Sequence, residues 1–174
     1  MTKMILFGDE GREKVFAGIE KLTKAVSATL GARGRNAIIA RTPPLITNDG
    51  VTIAREISFS DPFEDLGAQT IKEAAEKTNK DCGDGTSTST ILAHAIIKEG
   101  MKEKANPILL RAGIEKAVKA VVEELKKISK PVTTSKEIAQ VGAISSGSEE
   151  VGKVIADMME KITTEGNITI EPSR

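Results

Sequence analysis

The apolar residues of this 174-residue chain recur at steps of three and four along most of its length, and that spacing commits the chain to helices. Val15, Ile19, Leu22, Val26 and Leu30 fall on one face, with Asp9 placed to cap the helix and Gly31 to stop it. Asp61 followed by Pro62 predicts a second start, with Phe63, Leu66, Thr70, Ile71 and Ala74 on or near one face and an end near Asn79. A loop over residues 81–86 leads to a third helix containing Ile91, Leu92, Ala95 and Ile96, which Gly100 ends. Asn106 and Pro107 open the clearest helix, whose stripe of Leu110, Ile114, Ala117, Val118, Val121, Leu125 and Ile128 reads as core packing. Residues 135–143 and 148–162 predict two more, split by Ser145, Ser146 and Gly147. Strand signals are few. Residues 37–40 and 45–47 flank Pro43 and Pro44 as a short hairpin with a stiff turn, and Asn48-Asp49-Gly50 is a further turn signal. Gly166 and Asn167 lead into a strand over residues 168–170 that has no later partner. The expected fold is mainly α with a small β-hairpin, and residues 131–134 are the best linker.

Composition narrows the function. Lys plus Arg and Asp plus Glu number 25 each, which argues against a general electrostatic grip on nucleic acid or an anionic membrane. Trp and Tyr are absent and the aromatic rings are Phe7, Phe16, Phe59 and Phe63, so base stacking is poorly provided for. Cys82 is the only cysteine and His94 the only histidine, which excludes an internal disulfide, a CxxC motif and a multi-histidine metal site. No apolar run approaches the roughly 20 residues that span a bilayer, and the first residues lack the apolar core of a secretory signal. A reducing compartment follows, the cytoplasm or an organelle matrix.

Three segments can carry chemistry. In Gly83-Asp84-Gly85-Thr86-Ser87-Thr88-Ser89-Thr90, two glycines flank a carboxylate and hydroxyl residues run into a helix start. Free N–H groups and the positive end of the helix dipole favour phosphate there. Glycine lets a backbone approach a ligand. Asp84 would repel phosphate directly, so a divalent cation is its natural companion. The spacing serves equally for a helix that Ser and Thr simply cap. It is not a GxxxxGKS/T phosphate loop. The second segment, Leu30-Gly31-Ala32-Arg33-Gly34-Arg35-Asn36, suits phosphate or ribose, and taken alone reads better as a helix end with solvated arginines. The third, Thr47-Asn48-Asp49-Gly50, can position a water or a metal, and is more commonly an ordinary turn.

Taken together and in this order, the segments resemble the group I (GroEL-like) chaperonins. That family carries a TLGPKGRN-like loop, a TKDG-like turn, a GDGTTTA-like helix start and an AQVGTISAN-like stretch. Here they correspond to Thr29 through Asn36, Thr47 through Gly50, Gly83 through Thr88, and Ala139-Gln140-Val141-Gly142-Ala143-Ile144-Ser145-Ser146. Val51 to Glu56 and Gly67-Ala68-Gln69 fit as well, and the Gly142 stretch favours group I over the archaeal and eukaryotic cytosolic group. Ala32 stands where the family has proline, Arg33 where it has lysine and Ser87 where it has threonine. The hairpin and the stretch between Gly100 and Pro107 are shorter than the family's.

The resemblance implies the N-terminal part of an ATP-binding equatorial domain over residues 1–130 and the first limb of an intermediate, hinge domain over 131–174. The client-gripping apical domain would be absent, making the chain a fragment or a truncated homologue. Thr29, Leu30, Gly31 and Ala32 would line the nucleotide. Asp84 would hold Mg²⁺ between phosphate oxygens. Gly85, Thr86, Ser87 and Thr88 would bind phosphate, Asp49 would help orient the attacking water as the catalytic residue, and Gly50 would let the backbone approach. Asn48 and Ser87 would meet a K⁺ ion. The intact subunit would be an ATPase that couples hydrolysis to protein folding in a homo-oligomeric ring. A lid co-chaperonin and unfolded polypeptides would bind only through the missing apical domain. The alternative is a truncated, non-catalytic chaperonin that acts as an oligomerisation module. The chain alone is expected to hydrolyse ATP weakly or not at all.

Overall fold

The computed structural model describes residues 4–162 and 168–169. The chain divides into two compact units, Met1–Leu110 and Arg111–Arg174. The first unit runs α1 (Gly8–Ser27), β1 (Ala37–Ile39), β2 (Leu45–Thr47), α2 (Gly50–Glu56), α3 (Pro62–Cys82) and α4 (Thr86–Lys102). The helix α5 (Pro107–Ile128) crosses the boundary, and α6 (Ser135–Ser146) and α7 (Glu149–Lys161) form the second unit.

The stripe on α1 does what its spacing requires. Ile19, Leu22 and Val26 are buried against Ile53 and Ala54 of α2 and Ala68 and Ile71 of α3, with Phe16, Ala93 and Ile97 packed around them. Each fully buried aliphatic side chain of this size contributes about 1.5–3 kcal/mol. The α1–α3 crossing depends on two glycines. A Cβ on Gly18 would sit 1.8 Å from the Glu64 carbonyl oxygen, and one on Gly67 would sit 1.9 Å from that of Val15. The two backbones therefore touch where side chains would hold them apart. Lys14 closes the same interface at its edge, donating to Asp61 at 2.8 Å. That hydrogen bond raises the Lys14 pKa. With the Phe63 amide it also holds the Asp61 carboxyl below its ordinary value.

The strands pair antiparallel, Ala37 with Thr47, Ile38 with Ile46 and Ile39 with Leu45. Ala37 and Ile39 pack on the core while Ile38 and Ile46 are exposed, the alternation a two-residue period demands. Asp61 caps α3, accepting from the amides of Phe63 and Glu64.

The second unit is a helical hairpin. Thr134 and Glu137 form a capping box at the start of α6, and Ser148 caps α7 through the Val151 amide. The two helices cross at Gly142 and Gly152, where a Cβ on Gly152 would lie 2.4 Å from the Ala139 carbonyl oxygen.

Several expectations are corrected. Asp9 lies in the first turn of α1, whose cap position is Phe7 and has no side-chain cap. Leu30 is beyond the end of α1 and exposed, because the helix stops at Ser27. Residues 50–56 form a helix where a turn alone was expected, since the Asp49 carboxylate caps it. Helix α3 runs on to Cys82, as Gly83 supplies the left-handed cap that Asn79 does not, and α4 passes Gly100 to Lys102. The α5 stripe is not core: no residue of that helix is buried. Ile168 and Thr169 belong to no regular element, and the rest of the expected terminal turn and strand, Gly166, Asn167 and Ile170, lies outside the described residues.

Candidate functional site

The three candidate segments meet at the end of α1. Thr29 turns back onto that helix, its Oγ1 donating to the Val26 carbonyl at 2.8 Å. The turn before α2 arrives beside the same residue. A Cβ on Gly50 would lie 3.3 Å from Val26 Cγ1, and only 2.2 Å from Ser87 Oγ in the first turn of α4. Gly50 is buried, and the absence of a side chain is what allows the start of α2 to lie directly against the hydroxyl of Ser87. Residues nearly forty positions apart thus share one contact, which neither segment reveals alone.

Two glycines shape the start of α4. Gly83 and Gly85 take φ of 73° and 84°, the left-handed region open to glycine, and so place Asp84 on the tight corner between α3 and α4. Gly85 is the cap residue of α4 and offers no side-chain acceptor, and no acidic residue lies in the first turn. The amides of the first turn are left without a side-chain cap at the positive end of the helix dipole. The capping alternative required Ser and Thr to accept from these amides. Instead Ser89 Oγ and Thr90 Oγ1 turn back to donate to the Thr86 carbonyl, at 2.9 and 2.8 Å. Among the described residues the hydroxyls of Thr86, Ser87 and Thr88 have no hydrogen-bond partner.

The two carboxylates are each half committed. Asp84 Oδ1 accepts from the Gly85 amide at 2.6 Å, and Oδ2 has no partner among the described residues. Asp49 Oδ2 accepts from the Thr52 amide at 3.0 Å and from the Thr52 hydroxyl, and its own amide donates to Thr47 Oγ1 at 3.1 Å. Asp49 is therefore fixed as the cap of α2 with Oδ1 left open. Both carboxylates are exposed. Among the described residues no group of three or more His, Cys, Asp or Glu side chains comes together. A cation at Asp84 would take its remaining ligands from elsewhere, from phosphate oxygens or water.

The loop after α1 is compact. Gly31 has φ of 80°, Gly34 donates to the Gly31 carbonyl at 2.8 Å, and Arg35 donates to that of Ala28 at 2.9 Å. Gly34 is needed for close approach, since a Cβ there would lie 2.1 Å from the Thr29 carbonyl oxygen. Leu30, Gly31 and Ala32 are exposed on this loop, as are Asn48 and Thr88 on theirs, and Thr29 is half-buried. Val26, expected only on the apolar face of α1, is the hub between the segments, and Thr52, which orients Asp49, was not expected at the site. The Asp-x-x-Thr spacing that a capped helix start uses was the signal for Thr52. Cys82 is exposed at the end of α3. His94 lies two turns further along α4 and stacks on Phe16 at 5.5 Å.

Comparisons with known proteins bear on the whole arrangement. Two crystal forms of the chaperonin gp146 from bacteriophage EL 2 (Pseudomonas aeruginosa), both in the presence of ATP-BeFx, are similar in structure. Their TM-scores are 0.79 and 0.75, with 26% sequence identity in each. The similarity covers 91% and 88% of this chain and 29% and 28% of those chains, so this chain spans less than a third of their length. The model of the TCP-1/cpn60 chaperonin family matches residues 22–172, which include all three candidate segments and the α6–α7 hairpin. The chain belongs to the TCP-1/cpn60 chaperonin family.

Proposed function

We propose that this chain carries the phosphate-binding part of a chaperonin ATP site. The observation that carries the reading is the contact of Gly50 with Ser87, which sets the Asp49 turn against the uncapped start of α4. Phosphate oxygens would be met by the first-turn amides of α4 and by the hydroxyls of Thr86, Ser87 and Thr88. Thr29, Leu30, Gly31 and Ala32 would lie along the nucleotide. Asp84, exposed with one oxygen free, suits a Mg²⁺ ion that also takes phosphate oxygens; such an ion would neutralise phosphate charge. Asp49, held by Thr52, would orient the attacking water through its open oxygen. Ser87 makes this contact, Asn48 lies two residues before Gly50, and the two would be the groups to meet K⁺. This division of labour accords with phosphoryl transfer, which rests on positioning and charge neutralisation.

Residues 1–130 are proposed as equatorial-domain sequence and 131–174 as the first limb of a hinge domain, with group I membership resting on the Gly142 stretch. ATP-driven protein folding in a ring of like subunits would belong to the complete assembly, as would any lid or client contact. A second reading, a non-catalytic module that associates with other chaperonin subunits, is favoured by one observation: α5 carries an apolar stripe with no buried residue. Among the described residues no helix is long and apolar enough to cross a membrane.

Titration calorimetry with Mg-ATP on this chain and on Asp84→Ala tests the proposal. Binding by the wild type that falls at least ten-fold in the variant supports it. No binding by a folded wild-type chain overturns it and favours the association reading.

A further inference from the structure

Lys72 breaks the pattern of its own helix. The buried positions of α3 are Gly67, Ala68, Ile71, Lys72 and Ala75, a core-facing stripe at helical spacing with a lysine inside it. Its residue exposure is 8%, and among the described residues it forms no ion pair. A buried ammonium is costly unless its protons are satisfied. Here main-chain carbonyls take two of its three N–H donors, those of Arg55 at 3.3 Å and of Ile57. Both lie at the C-terminal end of α2, where unpaired carbonyls collect and the helix dipole is negative.

Helix α2 needs such a tether. At seven residues it is too short to be stable by itself. Its N-terminal end is fixed by the Asp49 cap, and that end bears Asp49 and Gly50. Val51, Ile53 and Ala54 bury its apolar face, and its other polar ties, Arg41 to Glu56 and Arg55 to Glu76, are exposed ion pairs of the kind that contribute little. Lys72 is the buried tie, and it comes from the helix whose far end leads into Asp84. The side chain therefore joins the two helices, α2 and α3, that carry Asp49 at the start of one and lead to Asp84 at the end of the other.

We propose that Lys72 is a positioning residue for the phosphate site: by holding the C-terminal carbonyls of α2 it fixes the helix along its axis and so sets Asp49 and Gly50 against Ser87. This rests on the nucleotide reading for its functional consequence and is independent of that reading for its structural one. An aliphatic residue would fill the stripe but leave the carbonyls of Arg55 and Ile57 without a donor.

The test is amide hydrogen exchange, resolved by residue, on the full chain as wild type, Lys72→Met and Lys72→Arg, together with Mg-ATP binding. In Lys72→Met the amides of α2 should exchange on the order of ten-fold faster while those of α1 and of the first half of α3 keep their protection. Lys72→Arg, which keeps a donor, should recover most of the α2 protection even if the methionine variant proves too unstable to study. Mg-ATP affinity should fall with the loss of α2 protection across the three proteins. Unchanged α2 exchange in Lys72→Met would overturn the proposal. So would an equal loss over α1, α2 and α3, or failure of arginine to restore α2. A wild type that binds no Mg-ATP, with α2 selectively loosened in the variant, would overturn the nucleotide reading and leave the tether standing.

Discussion

Replacing Gly50 by alanine isolates the contact on which the site depends. The residue is in the first turn of α2 with no positive φ, so alanine meets no backbone penalty, and helix propensity favours it by up to about 1 kcal/mol. The opposing term is steric. The new methyl group would begin 2.2 Å from Ser87 Oγ, 3.3 Å from Val26 Cγ1 and 3.4 Å from Ser87 Cβ. The hydroxyl ends a short rotatable side chain and can swing aside, at a cost of about 0.5–1.5 kcal/mol if it leaves its rotamer well. Val26 must give by a few tenths of an ångström while the Ser87 Cβ distance is an ordinary contact, within an overpacking cost of about 1–3 kcal/mol. The net destabilisation should be about 1–2 kcal/mol. The decisive quantity is the coupling to Ser87. In a Ser87→Ala background the worst clash disappears, so Gly50→Ala should cost at least about 0.5–1 kcal/mol less there, beyond the scatter of independent sites. Urea unfolding of the four proteins, followed by circular dichroism, measures the cycle. An equal cost of Gly50→Ala in both backgrounds would refute the contact, and with it the convergence of the two segments.

Three further predictions follow from the packing and the caps. Gly67→Ala should destabilise by about 3 kcal/mol or more in the same assay, because its Cβ would meet the Val15 backbone, which cannot swing aside as a serine side chain can. Thr134→Ala should cost about 1 kcal/mol, measured by thermal unfolding, through loss of the capping box on α6. Asp61, Asp65 and Glu137 all have lowered pKa values, from the Lys14 hydrogen bond, the Phe59 amide and the Thr134 amide respectively. Their stabilising contributions are complete above the ordinary carboxylate range and should be lost progressively as the pH falls below about 4. Asp61→Asn should flatten that acid limb in a pH series of unfolding curves, and an unchanged limb would count against the Lys14–Asp61 tie.

The sequence was most legible where periodicity and caps coincide. Asp61 with Pro62, Asn106 with Pro107 and the paired strands around Pro43 stand as expected, because local chemistry decides them. The three candidate segments were visible as glycine, carboxylate and hydroxyl clusters, and family resemblance grouped them. Their convergence on Val26 and Ser87 was not visible, since it depends on how α1, α2 and α4 pack. Helix α2 was hidden for a related reason. Asn48-Asp49-Gly50 signals a turn, and only the Asp49–Thr52 hydrogen bond shows that turn to be a helix start. The tight crossings at Gly18 and Gly67 were equally silent, because a glycine inside a helical pattern does not announce which backbone will press on it. On α5 the periodicity named the apolar face correctly, but no pattern within a helix says whether that face will be covered.

The most direct test of the phosphate site is the amide spectrum of the isotope-labelled chain titrated with Mg-ATP. Saturable shifts are expected at Gly31, at Gly50 and from Gly85 through Thr88 together, with the α6–α7 hairpin unmoved. Shifts at one segment without the other two, or confined to the hairpin, would contradict that site.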